Sequence, residues 1–212
     1  MDNNKIAFIF FNGIMDWKNP FYKDLLKDQK NIFCADGGTK YALDMGIVPL
    51  EIWGDLDSLD PQYIKKAEEL NIKILKFNSD KDFTDGELLV KYLSEKNFEK
   101  IYILGGLGGR TDHFLTNLNL VFKYDNLIFI DENESIFRVT DNFSIKNKKN
   151  HTISFIPMSD EVNNIYLIGF KYPLNNYNLK LGESICNSNI ITSDIATIKF
   201  SSGKLLGVLQ NF

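Results

Sequence analysis

Arginine is almost missing from this chain. Of its 24 lysines and arginines only Arg110 and Arg138 are arginines, and Arg110 sits inside a glycine-rich stretch. Arginine is preferred where a planar fork must grip phosphate at two points, so that placement is either chance on a loop or a phosphate contact. Cysteine is just as sparse. Cys34 and Cys186 lie far apart, which excludes a CxxC metal or redox motif and offers no disulfide framework. Both sit in apolar strand contexts and read as buried free thiols in a reducing compartment. The two histidines, His113 and His151, give no Ser-His-Asp order, and His151 has no partner histidine or cysteine. No apolar run is long enough to span a membrane. The stretch 5–11 is too short for a secretory h-region and reads as a buried strand, so the expectation is a cytoplasmic protein with no membrane partner. A net charge of −4 and a pI near 5.3 leave no basic footprint for nucleic acid. Any polyanion must be held locally, by a metal or by a few placed cations.

What is present is a regular alternation. At 212 residues the chain fits one large domain or two small ones. Short apolar runs at 5–11, 31–35, 50–53, 72–77, 100–104 and 127–130 are separated by helical patterns near 21–30, 39–45, 61–70, 84–97 and 111–124. Continuous apolar strands alternating with helices predict an α/β fold, a mainly parallel sheet with helices on both faces. Asp60-Pro61 reads as a helix cap followed by proline at the first helical position. Thr84 with Glu87 reads as a capping box, and Thr111 or Asp112 as the cap of the next helix. From about residue 135 the texture changes to short strands at 143–146, 152–157, 165–170, 179–184, 196–200 and 205–209, with Ser201–Lys204 as a hairpin turn. The expected organisation is an α/β domain over 1–134 and an antiparallel β domain over 135–212.

In an open α/β sheet, ligands bind beyond the carboxyl ends of the strands. The polar residues that follow successive strands are Asp36-Gly37-Gly38, Asp55-Leu56-Asp57-Ser58, Asn78-Ser79-Asp80, Gly105–Arg110 and Asp131. Carboxylates gathered at one edge repel one another unless they share a cation, and Mg²⁺ takes a few carboxylates plus substrate phosphate oxygens. Asp55 and Asp57, two apart on an extended segment, would point to the same side; an Asx-rich turn would look the same. Asp82 and Asp85 fall three apart at a helix start, where acids are stabilised by the dipole with or without a function. Lys81 is either a phosphate contact or a solvated lysine. Four glycines in Gly105–Gly109 let the backbone approach phosphate, yet the stretch is neither a Walker A loop nor GxGxxG. Residues and spacing alone reach Mg²⁺-dependent phosphate chemistry.

Taken in order and spacing, four motifs resemble the thiamine pyrophosphokinase family: Asp36-Gly37-Gly38, Gly54-Asp55-Leu56-Asp57-Ser58, Asp82-Phe83-Thr84-Asp85, and Gly105-Gly106-Leu107-Gly108-Gly109-Arg110-Thr111-Asp112-His113. The match is strong over roughly 34–117, and Ser188-Asn189 adds a short motif in the last third. The resemblance implies a Rossmann-like ATP-binding catalytic domain followed by a β-sandwich that binds thiamine and forms a homodimer. It implies transfer of the terminal diphosphate of ATP to the thiamine hydroxyl, with Mg²⁺ as cofactor and AMP released. Asp55, Asp57, Asp82 and Asp85 would handle the metal. Asp82 or Asp85 would orient or deprotonate the hydroxyl. Arg110, with Asp112 near the same centre, would serve the transfer itself. Asp36, Gly37, Ser58, Lys81, Thr84, Gly106, Gly108, Gly109, His113 and Asn117 would support the nucleotide, and Ser188 and Asn189 would contact thiamine. Both tryptophans, Trp17 and Trp53, lie in the α/β half and Ile190-Ile191 follow Ser188-Asn189, so the sandwich must offer the thiamine rings another aromatic or none. A pterin diphosphokinase on this scaffold would keep the acidic and glycine motifs, and a regulator without catalysis would lose at least one acid.

Overall fold

The computed structural model describes residues 5–77 and 82–211. Asn78, Ser79, Asp80 and Lys81 therefore lie outside the described residues. The chain separates into two compact units, Met1–Glu132 and Asn133–Phe212.

In the first unit, β1 (Ile6–Phe10), β2 (Ile32–Ala35), β3 (Glu51–Gly54), β4 (Lys73–Lys76), β5 (Lys100–Leu104) and β6 (Leu127–Ile130) pair in the order β6-β5-β1-β2-β3-β4. Every pairing among them is parallel. All residues of β1 and β2 are buried, as strands covered on both faces must be. One face carries Ile6, Phe8, Phe10, Ile32, Cys34 and Ile52 against α1 (Pro20–Leu26), α2 (Thr39–Asp44) and α3 (Pro61–Glu69). On the alternate face α4 (Asp85–Ser94) packs on β2 and β3, where Trp53 meets Tyr92 at 4.6 Å between ring centroids. The fifth helix, α5 (Thr111–Leu120), follows β5.

The caps explain where these helices begin. Asp60 Oδ1 accepts from Gln62 N at 3.0 Å and Pro61 starts α3. Thr84 Oγ1 accepts from Glu87 N at 3.2 Å, but the Glu87 carboxylate turns away to Lys123 Nζ at 2.6 Å. The expected cap of α5 is corrected. Arg110 holds the N-cap position with no side-chain cap bond, because Asp112 is already taken by Arg110 and by His113 N.

The second unit holds two antiparallel sheets. One has the order β12 (Asn189–Ile190), β9 (Thr152–Pro157), β14 (Leu205–Gln210), β7 (Glu134–Val139); the other runs β11 (Leu174–Lys180), β10 (Glu161–Ile168), β13 (Ile195–Lys199), β8 (Phe143–Lys146). Val139, Ile153, Phe155, Leu205 and Leu209 from the first meet Ile145, Val162, Ile165, Leu167, Leu179 and Ile198 from the second in one core. This is a β-sandwich. Three strand expectations need correction. The stretch 201–204 is no hairpin, since β13 and β14 belong to different sheets and Ser201 N instead bonds Asn163 O at 2.9 Å. β10 starts four residues earlier than its apolar run because Asn164, at φ 56°, sits in a bulge that breaks the alternation. β11 lies over 174–180 rather than 179–184, where its asparagines masked it.

Candidate active site

Strand order reverses between β1 and β5: β2, β3 and β4 lie to one side of β1, β5 and β6 to the other. Beyond the carboxyl ends of such a pair lies the crevice where open α/β sheets hold ligands. A cleft of about 790 Å³ opens there, large enough for a nucleotide. Its wall is built from consecutive strand ends: Phe11 to Ile14 after β1, Asp36 after β2, Asp55, Asp57 and Ser58 after β3, Asp82 to Gly86 across the start of α4, Gly108 to Arg110 after β5, and His113 and Asn117 on α5. Asp131, at the end of β6, does not line it.

The carboxylates of Asp36, Asp55 and Asp57 each offer an oxygen within 4.8 Å of the others. Asp55 and Asp57 do not converge by strand alternation. Leu56 between them adopts φ 65° and buries its side chain in the core, so the backbone folds round it and Asp57 N bonds Asp55 Oδ1 at 3.2 Å. The Asx turn and the paired carboxylates are one structure. Asp36, at φ 44°, accepts the Ser58 hydroxyl on Oδ2, and Asn12 Nδ2 holds Ser58 Oγ at 3.3 Å. Asp36 Oδ1 is buried without a hydrogen-bond partner among the described residues. A buried carboxylate oxygen left unpaired is costly, and an all-oxygen donor set around it fits a hard divalent cation. The charge of Asp55, then its hydrogen bond, then desolvation and Asp36, raise the Asp57 carboxyl above the ordinary aspartate range, as neighbouring like charges do. Asp82 and Asp85 line the cleft but stand outside this close group.

The glycine stretch crosses the loop after β1 at van der Waals limits. Gly13 N bonds Gly105 O at 2.8 Å, and a Cβ on Gly13 would lie 2.3 Å from that oxygen. Gly108 and Gly109, at φ 73° and 81°, meet nothing closer than 3.7 Å; their backbone conformation, not crowding, calls for glycine. Arg110 grips Asp112 as a fork, Nε to Oδ1 at 3.2 Å and NH2 to Oδ2 at 2.6 Å. That hydrogen bonding holds the Asp112 carboxyl at about 2 and raises the guanidinium above its usual value. Asp112, Gly37 and Gly106 do not line the cleft: Asp112 is exposed to solvent, and the two glycines are buried. Gly37 backs Asn12, 2.4 Å from where its Cβ would stand, while Gly106 O accepts Asn117 Nδ2 at 3.1 Å. Thr84 spends its hydroxyl on the α4 cap.

In the second unit Ser188 adopts φ 52° and bonds Ser154 Oγ through its N–H at 2.9 Å. Asn189 is 1% exposed. Its amide clamps the backbone of Tyr172 from both sides, accepting from Tyr172 N at 3.0 Å and donating to Tyr172 O at 2.7 Å. Tyr172 itself is 53% exposed.

Asn12, Gly13, Ile14, Lys40 and Tyr41 also line the cleft and were not singled out in the sequence. The readable signal was Asn12-Gly13 directly after an apolar strand, a turn pair at the same edge as the acidic motifs.

Residues 22–130 match the model for the thiamin pyrophosphokinase catalytic domain, and residues 141–205 that for the thiamin pyrophosphokinase vitamin B1 binding domain. Thiamine pyrophosphokinase from Bacillus subtilis is 36% identical over 178 residues, covering 81% of this chain and 83% of that protein. A crystal structure of thiamine pyrophosphokinase from Bacillus subtilis superposes with a TM-score of 0.85 at 31% identity, covering 97% of this chain and 99% of the other. That of thiamin pyrophosphokinase from Geobacillus thermodenitrificans gives 0.84 at 27% identity, covering 98% of each. The chain belongs to the thiamine pyrophosphokinase family.

Proposed function

We propose that this chain transfers the terminal diphosphate of ATP to the hydroxyl of thiamine, giving thiamine diphosphate and AMP. The observation that carries this reading is the meeting, in one cleft, of the Asp36, Asp55 and Asp57 carboxylates with a glycine loop that ends in Arg110. In the reaction the hydroxyl oxygen of thiamine bonds to the β-phosphorus. The bond from that phosphorus to the α–β bridging oxygen breaks, the oxygen leaves with its electron pair on AMP, and the hydroxyl proton passes to a carboxylate or to water.

Asp36, Asp55 and Asp57 would hold Mg²⁺. Bound there, the ion supplies neutralisation of polyphosphate charge and polarises its P–O bonds. Asp82, just ahead of α4, and Asp85, its first residue, flank the thiamine hydroxyl, and one of them orients it or accepts its proton. The glycine loop offers backbone N–H groups to phosphate oxygens, and Arg110 exchanges its Asp112 partner for the charge developing on the leaving group. His113 and Asn117 support the nucleotide from α5, and Lys81 is a further phosphate contact.

For the thiamine rings, Ser188 and the exposed ring of Tyr172 are the contacts of the second unit, with Asn189 fixing the Tyr172 backbone rather than touching substrate. The family resemblance supports a homodimer in the cytoplasm in which each thiamine is shared between two copies. Among the described residues no helix is long and apolar enough to cross a membrane.

The test is chromatography of purified protein incubated with ATP, Mg²⁺ and thiamine. Equimolar AMP and thiamine diphosphate, abolished by chelating the metal, is the expected result. ADP in place of AMP, or turnover indifferent to thiamine, would overturn the reading.

A further inference from the structure

Among the described residues that line it, the cleft carries more carboxylates than cations. Its lining carboxylates are Asp36, Asp55, Asp57, Asp82 and Asp85, and the lysine or arginine side chains among the described lining residues are Lys40 and Arg110. Arg110 is committed to Asp112. Lys40 has no carboxylate partner among the described residues, although it stands four positions after Asp36.

Its ammonium lies instead 4.7 Å from the centroid of the Tyr41 ring, a cation–π contact that steadies a long, flexible side chain. Tyr41 is anchored in turn. Its ring is buried, and its hydroxyl donates to Gly13 O at 2.6 Å. Gly13 bonds Gly105, the first residue of the glycine stretch. A chain of direct contacts therefore runs from Lys40 through Tyr41 and Gly13 to the glycine loop, while the backbone just ahead of Lys40 leads to Asp36 and the acid cluster. Lys40 thus lines the same cleft as the acid cluster and the glycine loop, tied to the loop through Tyr41 and Gly13 and to Asp36 by four positions of chain.

The geometry points to Lys40 as the cation that binds the nucleotide's phosphates between the carboxylate cluster and the glycine loop, a specificity contact for the nucleoside triphosphate. It rests on the diphosphotransfer reading. A solvated surface lysine would run outward into water; this one lines the cleft, half-buried along a fixed ring.

The experiment is calorimetric titration of the whole chain, ligand-free, with Mg²⁺ and the non-cleavable α,β-methylene analogue of ATP, for wild type, Lys40→Met and Lys40→Arg. Lys40→Met should weaken binding on the order of ten- to a hundredfold, the weight of one charge-assisted hydrogen bond. Lys40→Arg should recover most of that loss, and the ligand-free melting temperatures of all three should agree within about 2 °C. Wild-type affinity in Lys40→Met would overturn the assignment. So would equal weakening in both variants with a matching fall in melting temperature, which would make Lys40 a structural residue. If wild type binds the analogue through Lys40 yet makes no AMP with thiamine, the assignment to Lys40 stands and the diphosphotransfer reading falls.

Discussion

Gly13→Ala tests the crossing that joins the two halves of the cleft. The new Cβ would lie 2.3 Å from Gly105 O, whereas ordinary contact begins at 3.4 Å, so the backbone must part by about 1 Å. The obstacle is a main-chain carbonyl and cannot swing aside like a side chain. Parting them stretches the 2.8 Å bond from Gly13 N and disturbs the 2.6 Å bond that Tyr41 makes to Gly13 O. Overpacking costs about 1–3 kcal/mol and each weakened hydrogen bond about 1 kcal/mol. With partial relaxation the total is about 3 kcal/mol, which lowers the melting temperature of a chain this size by about 6–12 °C. Gly108→Ala is the control. It has open space, its nearest neighbour being Ile14 Cβ at 3.9 Å, but φ 73°, and so loses only about 1 kcal/mol to backbone strain. Thermal unfolding followed by circular dichroism separates the two, and nucleotide titration of the same samples should show weaker binding in Gly13→Ala. A Gly13→Ala protein melting within about 3 °C of wild type, or a Gly108→Ala protein less stable than it, would refute the steric account.

Asp57→Asn should abolish Mg²⁺ binding by calorimetry with the far-ultraviolet spectrum unchanged, and Ser58→Ala, which removes the hydroxyl that Asp36 accepts, should weaken it by roughly tenfold. Intact Mg²⁺ affinity in Asp57→Asn would place the metal elsewhere. Because Asp55 raises the Asp57 carboxyl, that group holds its proton to higher pH than an ordinary aspartate, so Mg²⁺ affinity should fall as the solution is acidified through that raised value, with protons released on binding. An isotherm independent of buffer ionisation heat in mildly acidic solution would count against it. Asp112 behaves oppositely: the fork to Arg110 contributes above the ordinary aspartate value and is lost only as pH falls through about 2, so the Arg110 Nε proton signal should persist unshifted to about pH 3. Tyr172→Ala should raise KM for thiamine while leaving nucleotide affinity alone, and an unchanged KM would remove Tyr172 from the ring pocket.

The α/β half was legible because its strands are buried on both faces. Ile6 to Phe10 and Ile32 to Ala35 have no polar face to confuse the pattern, and each ends at a polar turn that names the sheet edge. The sandwich was harder. β7 reads Glu-Ser-Ile-Phe-Arg-Val, half exposed and only partly alternating, and the left-handed asparagines at 164 and 176 interrupt β10 and β11 where alternation would otherwise show. At the site, residue types were readable but geometry was not. Asp36 sits twenty residues before Asp55–Asp57, and no local spacing reveals that β2 and β3 are neighbours whose ends bring the acids together. Lys40 and Tyr41 follow the Asp36 motif on a short helix, where a lysine and a tyrosine read as ordinary surface and core.

The position of β14 governs when the sandwich can form. Leu205–Gln210 is hydrogen-bonded on one side to β7 and on the other to β9, so it occupies the interior of its sheet although it comes latest among the strands. Until it arrives, β7 and β9 have unpaired edges facing one another across a gap one strand wide. Its partner Glu134 lies some seventy residues away in sequence, and closing a loop of that length precedes any gain from pairing. The first unit carries its own strands and can assemble as soon as it is synthesised, whereas the sandwich must wait for its final strand. Removing that strand would not trim an edge but split a sheet.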